Sequence, residues 1–191
     1  EPESRDWRLG QLKALQNLRK YNEVENIIYS YIDEKPTEPE FWLQQANAFI
    51  AQKEYLQAAA NFEVVKMLGA ADREMYVLLG DIYVNLDAPT LALEPYNLAL
   101  STGEVKPEDA LSLAKVMSRR LPADQLKGFL SKITQTYQDT LNQENSLTLL
   151  TLKAANALSM DDKDGAMKML SEVVAKDPLN GSALLTLGSY Y

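Results

Sequence analysis

The chain repeats itself every 34 residues. Segments 39–72 and 73–106 both have that length, and they carry the same kinds of residue at the same offsets. Trp42 is answered by Tyr76, Gln45 by Leu79, Ala46 by Gly80 and Phe49 by Tyr83. Further on, Ala58 is answered by Ala92, Phe62 by Tyr96 and Val65 by Ala99. A period of this size marks a stack of small supersecondary units, none of which buries its hydrophobic face alone. The same offset runs backwards to Arg5 and forwards to Pro107, where Leu113, Ala114, Met117, Leu126, Leu130 and Ile133 take up the pattern.

Each unit reads as helix, short turn, helix. Leu, Ala, Gln, Glu and Lys are plentiful, and such side chains lose little freedom in a helix. Ser4 caps a first helix with Leu9, Leu12, Leu15 and Leu18 at helical spacing. A second, from about residue 23 to 34, stops at Pro36. Thr37 and Glu40 form the two ends of a capping box for the third. The fourth closes at Gly69, where a left-handed backbone suits glycine, and Asp72 caps the fifth. Pro95 falls inside the sixth and predicts a kink or a late start. A long helix follows Pro122 to about Leu141, Asn145 or Ser146 caps the next, and 161–165 is an acidic turn. After the helix over 166–176, Asn180 caps a last one still running at Tyr191.

These units resemble the tetratricopeptide repeat, whose pattern is W-x2-L-G-x2-Y, then A-x3-F, then P. Trp42, Phe49, Ala58 and Phe62 match it in the second copy, and Leu79, Gly80, Tyr83, Ala92 and Tyr96 in the third. A fifth copy begins at Leu147 and includes Ala154, Ala157, Ala166, Leu170, Val173 and Pro178. A sixth starts with Leu184, Leu187, Gly188 and Tyr191. The first copy has Leu12 in place of the small residue, the fourth has Leu126 in place of Ala, and the offset stretches by six residues around 141–146. The resemblance implies an all-α chain, a right-handed α-solenoid of stacked helix-turn-helix repeats, about five and a fraction. It implies one domain over 1–191, with copies at about 5–38, 39–72, 73–106, a degenerate 107–140, 147–180 and a partial 181–191.

Chemistry is excluded more readily than binding. With no histidine and no cysteine, Ser-His and Cys-His nucleophiles and the usual zinc sites are out. No Gly-rich phosphate loop follows a strand. The run 161–165 (DDKDG) resembles a calcium loop, but Met160 would be its first ligand and the closing glutamate is absent. The expectation is no enzyme, no catalytic residue, no cofactor and no metal. A net charge of −8 repels phosphate backbones and anionic membranes, so nucleic acid is not an expected partner. No apolar run reaches the roughly 20 residues of a membrane span. The chain begins Glu1-Pro2-Glu3-Ser4 without an initiator Met or signal peptide, as a processed form or a cloned fragment would. Compartment is open between the cytoplasm and a processed periplasmic or secreted state, and oligomeric state is open too.

Solenoids bind along the concave face lined by the first helix of each repeat. The resemblance places Leu43, Asn47 and Ile50 there in the second copy, and Val77, Asp81 and Val84, with Asn85 beside them, in the third. The fourth contributes Leu111, Lys115, Ser118 and Arg119. Relatives that hold the acidic tails of heat-shock chaperones use a basic and asparagine clamp in this groove. Only Asn47 fits such a clamp here, so that partner is disfavoured. The stripe Leu43, Ile50, Val77, Val84, edged by Asn47, Asp81 and Asn85, suits an apolar or amphipathic helix or peptide. The expected function is a protein–protein interaction scaffold. The alternatives are a regulatory or targeting repeat domain of a larger enzyme and a self-assembly module. The end at Tyr191, without a polar capping helix, favours further sequence beyond it.

Overall fold

The structure, a computed structural model, describes residues 4–188. Among the described residues there are helices and no strands: α1 (Arg5–Asn17), α2 (Tyr21–Glu34), α3 (Pro39–Ala51), α4 (Tyr55–Met67), α5 (Arg73–Asn85), α6 (Pro89–Ser101), α7 (Pro107–Met117), α8 (Ala123–Thr136), α9 (Gln143–Ser159), α10 (Lys163–Lys176) and α11 (Gly181–Gly188). The all-α expectation therefore holds over that range. The continuation of the last helix to Tyr191, and the match placed on Tyr191, lie outside the described residues.

The period is built into the helix starts. Arg5, Pro39, Arg73 and Pro107 open α1, α3, α5 and α7, each 34 residues after the last; Tyr21, Tyr55, Pro89 and Ala123 open α2, α4, α6 and α8 at the same interval. The six-residue slip comes next. It goes mostly into α9, which has 17 residues where α3 and α5 have 13.

Several boundaries rest on single side chains. The Trp7 N–H donates to Ser4 Oγ (3.2 Å), the Met75 N–H to Asp72 Oδ1 (2.8 Å) and the Ala183 N–H to Asn180 Oδ1 (3.1 Å). Gly69 has φ +72°, the left-handed turn that glycine adopts without penalty. Other boundaries differ from the sequence reading. No capping box forms at 37–40: Pro39 takes the first helical position, which makes Glu38 the cap residue, and its side chain makes no capping bond. Helix α9 starts earlier than expected because Asn142 Oδ1 accepts the Asn145 N–H at 2.8 Å. Helix α8 ends at Thr136 instead of near residue 141. The acidic turn at 161–165 is a helix start, with Asp162 Oδ1 accepting the Gly165 N–H at 2.9 Å. Helix α6 does not start late; it runs from Pro89 to Ser101 with Pro95 buried inside it.

The described chain forms two compact units, Glu1–Ala88 and Pro89–Tyr191. In the first, one core cluster joins Leu12, Val24, Ile28, Ile32, Phe41 and Ala48 from α1, α2 and α3. A second joins Ala46, Phe49, Ala58, Ala59, Phe62, Val65, Met75, Leu79 and Ile82 from α3, α4 and α5. The small residues Ala46 and Ala58 are fully buried, which is what lets neighbouring helices approach closely. In the second unit α9, α10 and α11 share a cluster of Leu147, Ala154, Leu170, Val173 and Ala183. Helices α6 to α9 pack as α7 on α8, α7 on α9, α8 on α9 and α6 on α8.

Tyr137 closes α8 by packing its ring inside and donating its hydroxyl to the Val105 carbonyl at 2.7 Å. Burial, and then the carboxylates of Asp109 and Glu108, push the phenol above its ordinary value of 10.0. The folded chain thus keeps this proton where the unfolded chain releases it. The resulting stability is complete below about pH 10 and falls as pH rises through the folded value. In urea titrations at stepped pH, the midpoint is expected to fall above about pH 10, and to fall less steeply in Tyr137→Phe.

Candidate functional site

On α3, Leu43, Asn47 and Ile50 stand four and three residues apart, which puts them on one face of the helix. On α5, Val77, Asp81 and Val84 repeat that spacing, and Asn85 is next to Val84. The first unit treats these seven side chains in three ways. Asn47, Asp81 and Asn85 are exposed. Leu43, Ile50 and Val77 are half-buried, and Leu43 and Ile50 pack against the cluster that also holds Met75, Leu79 and Ile82 of α5. Val84 is only 9% exposed and belongs to the core.

The α3 face therefore lies against this cluster, to which α5 also contributes, and three of the four apolar positions keep part of their surface in solvent. Beside Val84, the Tyr83 hydroxyl donates to Glu63 Oε1 at 2.8 Å, and Glu63 pairs with Lys66 at 2.6 Å. That polar contact ties α5 to α4 and fixes the backbone from which Asp81 and Asn85 project.

In the second unit the fourth-copy positions behave differently. Leu111 is buried; Lys115 and Arg119 are exposed and Ser118 half-buried. Lys115, Ser118 and Arg119 line a cleft of about 300 Å³ with Thr148, Thr151 and Asn180. It is a polar, cationic cleft, unlike the apolar stripe on α3 and α5.

Two features escaped the sequence reading. Gln45 and Asn61 are buried, and Asn61 Nδ2 donates to Gln45 Oε1 at 2.8 Å. Asn156, on α9, is 5% exposed, its Oδ1 has no hydrogen-bond partner, and its Nδ2 reaches only Met160 Sδ at 3.8 Å. A polar residue falling on the apolar period of its helix is the signal that could have found both. Among the described residues, no group of three or more acidic, His or Cys side chains is placed to hold a metal ion, and no helix is long and apolar enough to cross a membrane.

No family model matches this sequence, and no curated protein matches it. Solved structures do match in fold. One is YrrB, described as a TPR protein with an unusual peptide-binding site, at a TM-score of 0.62 and 14% identity over 98% of this chain and 94% of that one. The MamA protein matches at a TM-score of 0.56 and 12% identity, over 90% of each chain. PilF of Pseudomonas aeruginosa matches at a TM-score of 0.54 and 15% identity, over 99% of this chain and 83% of that one.

Proposed function

We propose, from the fold this chain shares with tetratricopeptide-repeat proteins, that it is a protein-interaction scaffold that holds a peptide or a partner helix against α3 and α5. The observation that carries this reading is the mixed character of one face. Leu43, Ile50 and Val77 are apolar and half-exposed, and Asn47, Asp81 and Asn85 edge them with exposed polar groups. An amphipathic helix or an extended peptide seats apolar anchors on such a stripe and pairs its polar groups at the rim. The peptide-binding site attributed to YrrB, a protein of the same fold, adds support. Val84 contributes to this face from beneath, by setting the spacing of α5 on the core, since its own surface is mostly covered. The partner is a protein, and neither nucleic acid nor membrane insertion has a place in this reading.

The test is affinity capture with the whole chain from its native cell, read by mass spectrometry. Asn47→Arg/Asn85→Arg places two large cations on exposed positions and leaves the core alone. Leu43→Asn/Val77→Asn removes the apolar anchors. Both variants are expected to keep the helical circular dichroism and to lose the captured protein at least tenfold, since anchors at an interface centre carry most of the binding energy. Capture at the parental level by both folded variants would sink the proposal.

A further inference from the structure

We propose that the second unit carries a separate binding site, a cleft between α8, α9 and α10 that takes a short protein segment pairing a large apolar side chain with an acidic one. The cleft holds about 390 Å³, within the range of sites that enclose a few side chains. Its floor is apolar: Leu130 and Ala157 are almost fully buried, and Met169 packs against the core of this unit. Met160 stands at the mouth, 42% exposed. Methionine is unbranched and polarizable, so a pocket with one at its mouth and one at its base adapts to an apolar side chain of irregular shape.

The polar groups say what must accompany that side chain. Lys127 and Lys153 line the cleft, and neither is within ion-pairing distance of a carboxylate among the described residues. The chain as a whole carries 27 acidic against 19 basic residues, and these two cations at one cleft have no acidic partner among the described residues to offset their charge. The one carboxylate on the rim, Asp162, is engaged by the Gly165 N–H at the start of α10, where the helix dipole steadies its charge. Asn156 completes the site. It lines the cleft, is only 5% exposed, and has an oxygen with no donor. A buried acceptor without a donor costs about 1–3 kcal/mol. The last torsion of asparagine is soft, so Oδ1 can meet a donor entering the cleft. A backbone N–H is such a donor, and that favours a peptide over a simple apolar carboxylate. The segment then lays its apolar side chain on Leu130 and Met169, its carboxylate between Lys127 and Lys153, and its N–H on Asn156.

This site shares no residue with the α3–α5 face and does not depend on the reading of that face. The probes are fluorescein-labelled peptide pools with a fixed Leu-Glu core, and matched pools with Leu-Lys and Ser-Glu cores, titrated against the whole chain by anisotropy. The Leu-Glu pool is expected to bind at least tenfold more tightly than the other two. Lys127→Glu/Lys153→Glu is expected to erase that preference while helical content is unchanged. Asn156→Leu is expected to weaken binding severalfold yet leave the thermal midpoint level or higher, a combination that a purely structural asparagine would not give. Leu43→Asn/Val77→Asn is expected to bind the pool as the parent does, which separates this site from the interaction face above. Equal binding of all three pools, or a Leu-Glu preference that survives both charge reversals, would overturn the proposal. Displacement of the pool by octanoate at the same concentration would overturn the assignment to a peptide.

Discussion

Phe62→Ala is expected to lower the unfolding free energy by about 3–5 kcal/mol, the cost of emptying a large aromatic site that cannot close over the gap. The reason lies in its neighbours. Phe62 is 2% exposed and sits in one cluster with Ala46, Phe49, Ala58, Met75 and Leu79, drawn from α3, α4 and α5. Alanines have no side chain to swing into the void, and the backbones that carry them are held by helical hydrogen bonds. The cavity would stay mostly open, which is the condition for the upper part of that range. The loss is to be read as a fall in the urea midpoint at unchanged slope. Leu56→Ala, on the same helix at an exposed position, serves as the control and is expected to move the midpoint by no more than about 0.5 kcal/mol. Equal effects from the two substitutions would mean that Phe62 is not the anchor of this cluster.

That prediction could be made from the period alone, because Phe62 occupies an offset that Tyr96 and Leu130 fill in the next two copies, and both are buried. Helix existence was legible for the same reason: apolar spacing is sampled over a dozen residues, so one irregular position does not erase it. Boundaries were less legible. Whether Thr37 or Glu38 caps α3, or Asn142 or Asn145 caps α9, turns on the backbone angles of one residue, and several nearby residues are chemically able to do it. Of the two outcomes expected at Pro95, a kink or a late start, the late start does not occur. The sequence sees a missing N–H, whereas α6 runs through Pro95 with the proline buried. The candidate face was legible as a spacing only. Positions four and three residues apart share a side of a helix, but the same spacing describes Leu43, half in solvent, and Val84, in the core. The covering of a side chain is decided by the neighbouring helix, which the local pattern does not contain.

The buried pair Gln45 and Asn61 is where this difference has its largest energetic consequence. One copy later the same two offsets hold Leu79 and Pro95, and two copies later Leu113 and Phe129. The site is therefore apolar in the third and fourth copies, while the first holds Gln11 with Ile27 and the fifth Lys153 with Met169; the second copy fills it with a hydrogen-bonded pair of amides 2.8 Å apart. Gln45 Nε2 remains without a partner, so the network is incomplete and carries a desolvation cost already. Asn61→Leu would take away the donor to Gln45 Oε1 and leave the whole amide unpaired, at about 1–3 kcal/mol. Gln45→Leu would leave Asn61 Nδ2 without its acceptor, at a similar cost. The double variant removes both polar groups and rebuilds the apolar character of the third and fourth copies, so it is expected to recover the loss and to equal or exceed the parent in stability. Urea midpoints for the four members of this cycle give the coupling directly. If the two single losses simply add in the double variant, the amides are held by their own surroundings and not by each other.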